Sequence, residues 1–242
     1  MSLPVTVDLM ALARDLERRG GKRKLRGTLE RAWRAQSCLA DLNQVRDALG
    51  VIDRLKAQTV SIDQTALVHA QSALMTTAIL LYARATATSG SSRERGSIRL
   101  KDLTPQQRDD HKVLIDIRNS ALGHVETSAD IAGDFWHALY LFAKQAGPGL
   151  WQFASASTSI GLNYDTVVVL KRQLPVASEA VRARVRERLD DVHAAMQEIN
   201  FSNSTMLRHQ VDPVAWFGSL ETARKMLAGA PGEESSSWIP LL

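Results

Sequence analysis

Val181, Val185, Leu189, Val192, Met196 and Ile199 step along the chain by three and four residues. That spacing commits the stretch to an amphipathic helix, because only a 3.6-residue period gathers those side chains into one stripe. Pro175 stands before this helix, and Arg182, Arg184, Arg186 and Arg188 decorate its flanks as solvated charge. The same pattern recurs near the N-terminus. Leu9, Leu12, Ala13 and Leu16 mark a short helix within Val5 to Arg19, which Gly20-Gly21 stops. Leu29 to Ala48 reads as helix, with Leu29, Trp33, Leu39, Leu42 and Val45 available for a core. Gly50 marks a break or bend, and Val51 to Lys56 forms a further helical piece.

Ser61-Ile62-Asp63-Gln64 has the form of a capping box for a helix running to about Ala85. Its apolar residues surround most of the axis (Leu67, Val68, Leu74, Met75, Ile79, Leu80 and Leu81), the pattern of a central buried helix. His69 within it is expected as a core or boundary histidine. Thr104-Pro105-Gln106-Gln107 is a second clear helix start, with Thr104 as N-cap, Pro105 at N1 and Gln107 at N3. Val113, Leu114, Ile117 and Ala121 give that helix its buried face, and Gly123 its stop.

The chain has 242 residues, of which 45% are hydrophobic and only 5% aromatic. Abundant Ala, Leu and Val favour packed helices over sandwich strands, so the fold class is mostly α. Phe135 to Phe142 and Leu150 to Ser157, separated by Gly147-Pro148-Gly149, read as a small β-hairpin inserted near 135–157. Asp165 to Leu174 fits a third strand or a helix, and periodicity does not decide between them. Three segments follow: N-terminal helices over 1–60, a helical domain over 61–228 containing the hairpin, and a flexible tail over 229–242.

Thirty Lys and Arg against 26 Asp and Glu give a formal charge of +4. This balance permits a polyanionic partner without demanding one. Lys22-Arg23-Lys24-Leu25-Arg26 is a basic cluster, read first as a solvated face and second as a patch that contacts RNA. Cys38 is the only cysteine, which excludes an internal disulfide and a multi-cysteine zinc site. Met1 to Arg19 contains Asp8, Arg14, Asp15 and Glu17 and lacks a signal-peptide core. The apolar run Ala73 to Ala83 is too short to span a bilayer. A soluble cytoplasmic protein, without metal or cofactor and away from membranes, is the expectation.

Arg118-Asn119-Ser120-Ala121-Leu122-Gly123-His124 concentrates the chemistry. An arginine supplies a planar, permanently charged fork for phosphate oxygens, and a histidine exchanges a proton near neutral pH. On an ideal α-helix Arg118 and His124 lie about 120° apart, so a break at Gly123 or a groove shared with another subunit would bring them together. Asn119 could hold the phosphate or the imidazole. Asp116 and Glu126 are nearby carboxylates that would either orient His124 or simply pair with Arg118. These residue types suit RNA cleavage, in which the 2′-hydroxyl attacks and positive charge steadies the phosphorane. The preceding loop, Thr86 to Arg99, adds Arg93, Arg95 and Arg99 as RNA-binding candidates.

Arg118-Asn119 with its spacing to His124, late in a helix and in all-helical surroundings, resembles the Arg-polar-x(3–5)-His signature of HEPN domains. The resemblance covers the motif and the helices Ser61 to His124 and Pro175 to Asn200. It implies a HEPN-like helical bundle and a homodimeric, metal-independent endoribonuclease of a toxin–antitoxin or antiphage system. Arg118, Asn119 and His124 would be catalytic, with a cognate antitoxin or defence protein as partner. Some members of that family do not cleave and act as binding modules, which is the alternative reading. A third reading is a structural helical protein in which Arg118 is paired. Competing motifs fail: His124-Val125-Glu126 lacks the downstream Pro-Cys-x-x-Cys of zinc deaminases, and no phosphate loop, dinucleotide fingerprint, nucleophile elbow or His-Glu-x-x-His helix occurs.

Overall fold

The structure, a computed structural model, describes residues 3–20, 23–57, 63–87, 98–122, 128–131, 134–159, 163–198 and 203–228. In chain order these form β1 (Thr6–Val7), α1 (Leu9–Arg18), α2 (Arg23–Ala57), α3 (Gln64–Thr86), a 3₁₀ turn (Leu100–Asp102) and α4 (Pro105–Asp116). A π-helical turn (Ile117–Leu122) continues α4. Then come β2 (Ser128–Ile131), β3 (Asp134–Gly147), β4 (Leu150–Ser159), α5 (Tyr164–Gln197), α6 (Asn203–Leu207), β5 (Gln210–Val211), α7 (Pro213–Phe217) and α8 (Leu220–Leu227). The protein is mostly α, as its composition requires.

Two compact units arise, and they do not follow chain order. A terminal unit comprises Met1–Ala40 and Arg182–Leu242, and a central unit comprises Asp41–Val181. In the terminal unit, Ala13, Leu25, Leu29, Ala32, Val192 and Ala195 form a buried apolar cluster, with Leu9, Met10, Leu16 and Met196 packed on it. Asp8 caps α1 by accepting from the amides of Met10 and Ala11, each at 2.9 Å. β1 pairs antiparallel with β5 in the same unit, Thr6 opposite Val211.

In the central unit, α3 buries Met75, Ala78, Ile79, Tyr82 and Ala85. Its first turns do not follow the expected pattern: Val68 is exposed, and so is His69. Apolarity all round the axis therefore overstated how much of this helix the unit covers. Among the described residues, α3 is long and apolar enough to cross a membrane. Its packed half nevertheless carries Arg84, whose Nε donates to Asp41 Oδ2 at 2.8 Å, and the buried Tyr82 hydroxyl. The N-cap of α3 is Asp63, which accepts from the Thr65 amide; the proposed cap Ser61 lies outside the described residues. The capping box at Thr104 forms as read, with Gln107 N to Thr104 Oγ1 at 3.2 Å and Thr104 N to Gln107 Oε1 at 2.9 Å.

Three local readings are corrected. α2 runs unbroken through Gly50, because Leu39, Leu42, Val45, Leu49 and Ile52 keep one buried stripe across it; the glycine weakens that turn by about 1 kcal/mol without ending it. Trp33, a core candidate, projects from α2 with 62% of its surface exposed. Residues 165–174 are helical, and Pro175 lies inside α5 instead of before it. The buried stripe Val167, Leu170, Leu174, Ala177, Val181 and Val185 passes straight through the proline, and packing of that stripe outweighs the lost backbone hydrogen bond.

The hairpin is present and longer than expected. β3 and β4 pair antiparallel from His137 opposite Ser159 to Gly147 opposite Leu150, and β2 adds a short third strand beside β3. Pro148 presets the turn, and Gly149 takes the left-handed conformation at φ 74° that the turn requires. The proposed tail over 229–242 lies outside the described residues.

Pro175 gives a direct test of this packing argument. Its side chain is exposed, and it has no N–H for the Lys171 carbonyl. Pro175→Ala should raise the unfolding free energy by about 1–3 kcal/mol in urea titrations. A lower midpoint would mean that the proline shapes α5 instead of merely being tolerated.

Candidate functional site

Leu114 and Ile117 are the anchors from which the site is built, at 0% and 1% exposure. They fix the end of α4 in the central unit, and the Ile117 amide donates to the carbonyls of both Val113 and Leu114. Beyond that point the backbone widens into the π turn, which lies against α3 and α4. Such turns replace i→i+4 bonds by i→i+5 bonds and frequently mark functional sites. The angle between Arg118 and His124 derived from an ideal α-helix therefore does not apply to this segment.

Arg118 and Asn119 are brought together on the widened turn. The Arg118 Nη1 donates to Asn119 Oδ1 at 2.8 Å. Among the described residues no carboxylate pairs with Arg118, Asp116 included. Its guanidinium is half-buried and Asn119 is exposed, so solvent reaches the pair. His124, Glu126, Arg93 and Arg95 lie outside the described residues. Arg99 is exposed just before the 3₁₀ turn, where its carbonyl accepts from the Asp102 amide at 2.9 Å. Among the described residues no three His, Cys, Asp or Glu side chains gather as a metal site would need.

Two turns before Arg118, in α4, lies a polar cluster that no motif announced. Asp110 is buried and accepts a two-pronged bond from Arg172 of α5, Nε to Oδ2 and Nη2 to Oδ1, both at 2.6 Å. Gln106 Nε2 adds a third donor at 2.9 Å. The Arg172 bonds hold the Asp110 carboxyl below the usual carboxylate range, against the burial that pushes it upward. Next to Asp110, the buried His111 shares a hydrogen bond with the Tyr82 hydroxyl, Nδ1 to oxygen 2.8 Å, and the rings meet edge to face. Burial lowers the His111 pKa and pushes the Tyr82 hydroxyl far up, so both are neutral at physiological pH. The carboxamide of Gln173, fully buried, lies close enough to Tyr82 to favour its ionised form slightly, yet completes no hydrogen bond of good geometry.

These groups hold α3, α4 and α5 in register at the base of the Arg118 turn. Their chemistry is positioning: a neutral imidazole sealed against a neutral phenol does not reach a solvent-borne phosphate. Sequence alone carried one usable signal. Asp110-His111 lies seven to eight residues before Arg118, so His111 and Arg118 share one side of an ideal helix. The partners Tyr82, Arg172 and Gln173 come from distant helices and had no local signature. No protein-family model, no curated protein and no solved structure matches this chain.

The buried imidazole gives stability a defined pH dependence. The folded pKa of His111 lies below its ordinary 6.5, so the unfolded chain binds more protons once the pH falls past that value. Stability is full above that pH and declines on acidification towards the folded pKa. Urea midpoints measured between about pH 7.5 and 5 should fall, and His111→Gln should flatten part of that slope. An identical slope in the variant would remove His111 as its source. Tyr82→Phe, which strands the imidazole without its partner, should destabilise by about 1–3 kcal/mol.

Proposed function

We propose that this chain is an endoribonuclease of the HEPN type, cleaving RNA by attack of the 2′-hydroxyl without need of a metal. The observation that carries the reading is Arg118: a cation on a π turn, tied to the neutral Asn119 and, among the described residues, matched by no carboxylate. A guanidinium held this way keeps its full charge for a phosphate. In the proposed step Arg118 steadies the charge that builds on phosphorus, His124 exchanges the proton, and Asn119 orients one or both. Arg93, Arg95 and Arg99 contact the strand. The biological setting that goes with this chemistry is cytoplasmic, in a toxin–antitoxin or antiphage system, with a cognate antitoxin or defence protein as partner.

A second copy of the chain belongs to the proposal, and the hairpin supports it. Leu141, Trp151 and Phe153 stand on one face of the ribbon, since Ala143 faces Phe153 and Gln145 faces Trp151 across the strands. They are 82%, 56% and 86% exposed. β4 is an edge strand of ten residues without charge or proline, and edges in monomeric proteins are ordinarily blunted by both. Two β4 edges aligned antiparallel about Phe153 would set aromatic against aromatic and no like charges opposite one another.

Incubating purified protein with labelled RNA in EDTA tests the enzyme. Products ending in 2′,3′-cyclic phosphate are expected. His124→Ala and Arg118→Gln should each slow their appearance by about 10² to 10⁴-fold with helicity unchanged. RNA binding without products would assign a non-catalytic module instead. For the assembly, Phe153→Lys should convert a dimer to a monomer in light scattering, since a charge at that exposed position spares the protomer but not a paired edge. A monomeric native protein would refute the β4 interface.

A further inference from the structure

We propose that a basic cleft in the terminal unit binds a small phosphorylated ligand of mononucleotide size, independently of the Arg118 site. The cleft holds about 510 Å³ and is lined by Ala11, Arg14, Glu17, Arg18, Arg26 and His209. That volume falls within the range of small-molecule sites, about 300–1,000 Å³. Three guanidiniums face one carboxylate, and the carboxylate is already answered: Glu17 Oε2 accepts from Arg26 Nη1 at 2.6 Å. Arg26 is further fixed by Nε to Glu30 Oε1 at 2.9 Å, and its Nη2 takes part in neither bond. The cleft therefore contains one rigid fork with a free prong.

Arg14 and Arg18 complete the argument. They are four residues apart on α1 and so adjacent on one helix face, an arrangement of like charges that destabilises a helix unless an anion lies between them. Among the described residues Arg14 has no ion-pair partner. Among the described residues Arg18 reaches only Asp15, at 3.6 Å with its own side chain 77% exposed. Asp15 is more closely engaged by Arg19 at 3.0 Å. On the remaining wall, His209 Nε2 is buried, 3.4 Å from an Asp15 oxygen and outside good hydrogen-bond geometry. An anion with several oxygens would answer the three guanidiniums that line the cleft, Arg14, Arg18 and Arg26. Phosphate does so with the planar two-pronged contacts that arginine favours. The cleft is open to solvent, and its volume accommodates one sugar and base beside the phosphate, which sets a phosphate monoester as the ligand to test first.

Calorimetry with adenosine 5′-monophosphate, inorganic phosphate and adenosine provides the test. The monophosphate should bind, with affinity falling as salt rises; inorganic phosphate should compete; adenosine should not bind. Arg14→Gln combined with Arg18→Gln, both exposed, should weaken monophosphate binding at least about tenfold, the loss of one charge-assisted contact or more, while leaving helicity and thermal midpoint near those of the parent. Unchanged affinity in the double variant, or equal binding of adenosine, would overturn the proposal. So would tighter, variant-sensitive binding of a short oligoribonucleotide than of the monophosphate, which would assign the cleft to RNA. His124→Ala should retain monophosphate binding, so failure of the ribonuclease reading and failure of this one are separable.

Discussion

Of the two carboxylates buried among the described residues of the central unit, Asp41 and Asp110, the second sets the register of the helices beneath the Arg118 turn. Asp110 gives up nearly all contact with water, an expense that two short bonds from Arg172 and one from Gln106 must offset. Because those donors sit on α4 itself and on α5, the charge cannot be satisfied unless the two helices meet in one register. Packing of Leu114, Ile117, Leu170 and Leu174 would tolerate small slips between helices; a two-pronged ion pair would not. The pair therefore contributes definition more than net stability, and the turn bearing Arg118 inherits its position from it.

Beside it, Tyr82 and His111 are joined by the same dry surroundings. Both could ionise in water, and burial keeps each neutral, so their hydrogen bond links α3 to α4 without a net charge to solvate. Gln173 is the less comfortable member, fully buried with its carboxamide incompletely satisfied. Polar groups of this kind stiffen a core when bonded and weaken it when not. The terminal unit follows a plainer rule: its core is aliphatic, and its charges stay at the surface in pairs such as Lys24 with Glu198 and Arg26 with Glu30.

Arg118 in one unit and Arg14 in the other have no carboxylate partner among the described residues, a state they share with Arg46, Arg54, Arg108 and Arg182, and the β4 edge is apolar where a solvated edge would be charged. Surface ion pairs contribute little to stability, so folding alone does not dictate which arginines go unpaired.

Helical spacing in the sequence determined the class of fold, the capping box at Thr104, the turn at Pro148-Gly149 and most of the buried stripe of α2, because these are local consequences of backbone geometry and side-chain period. It also isolated Arg118 and Asn119. The continuity of α2 through Gly50 and of α5 through Pro175 was decided by tertiary packing, which outweighs a local propensity of a kilocalorie or a few. The division into units, the exposure of Trp33 and His69, the pairing of Asp110 with Arg172 and of Tyr82 with His111, and the cleft between α1 and α2 were likewise invisible in the sequence. Each joins residues from separate helices, and no periodicity along one helix states which neighbour it will meet.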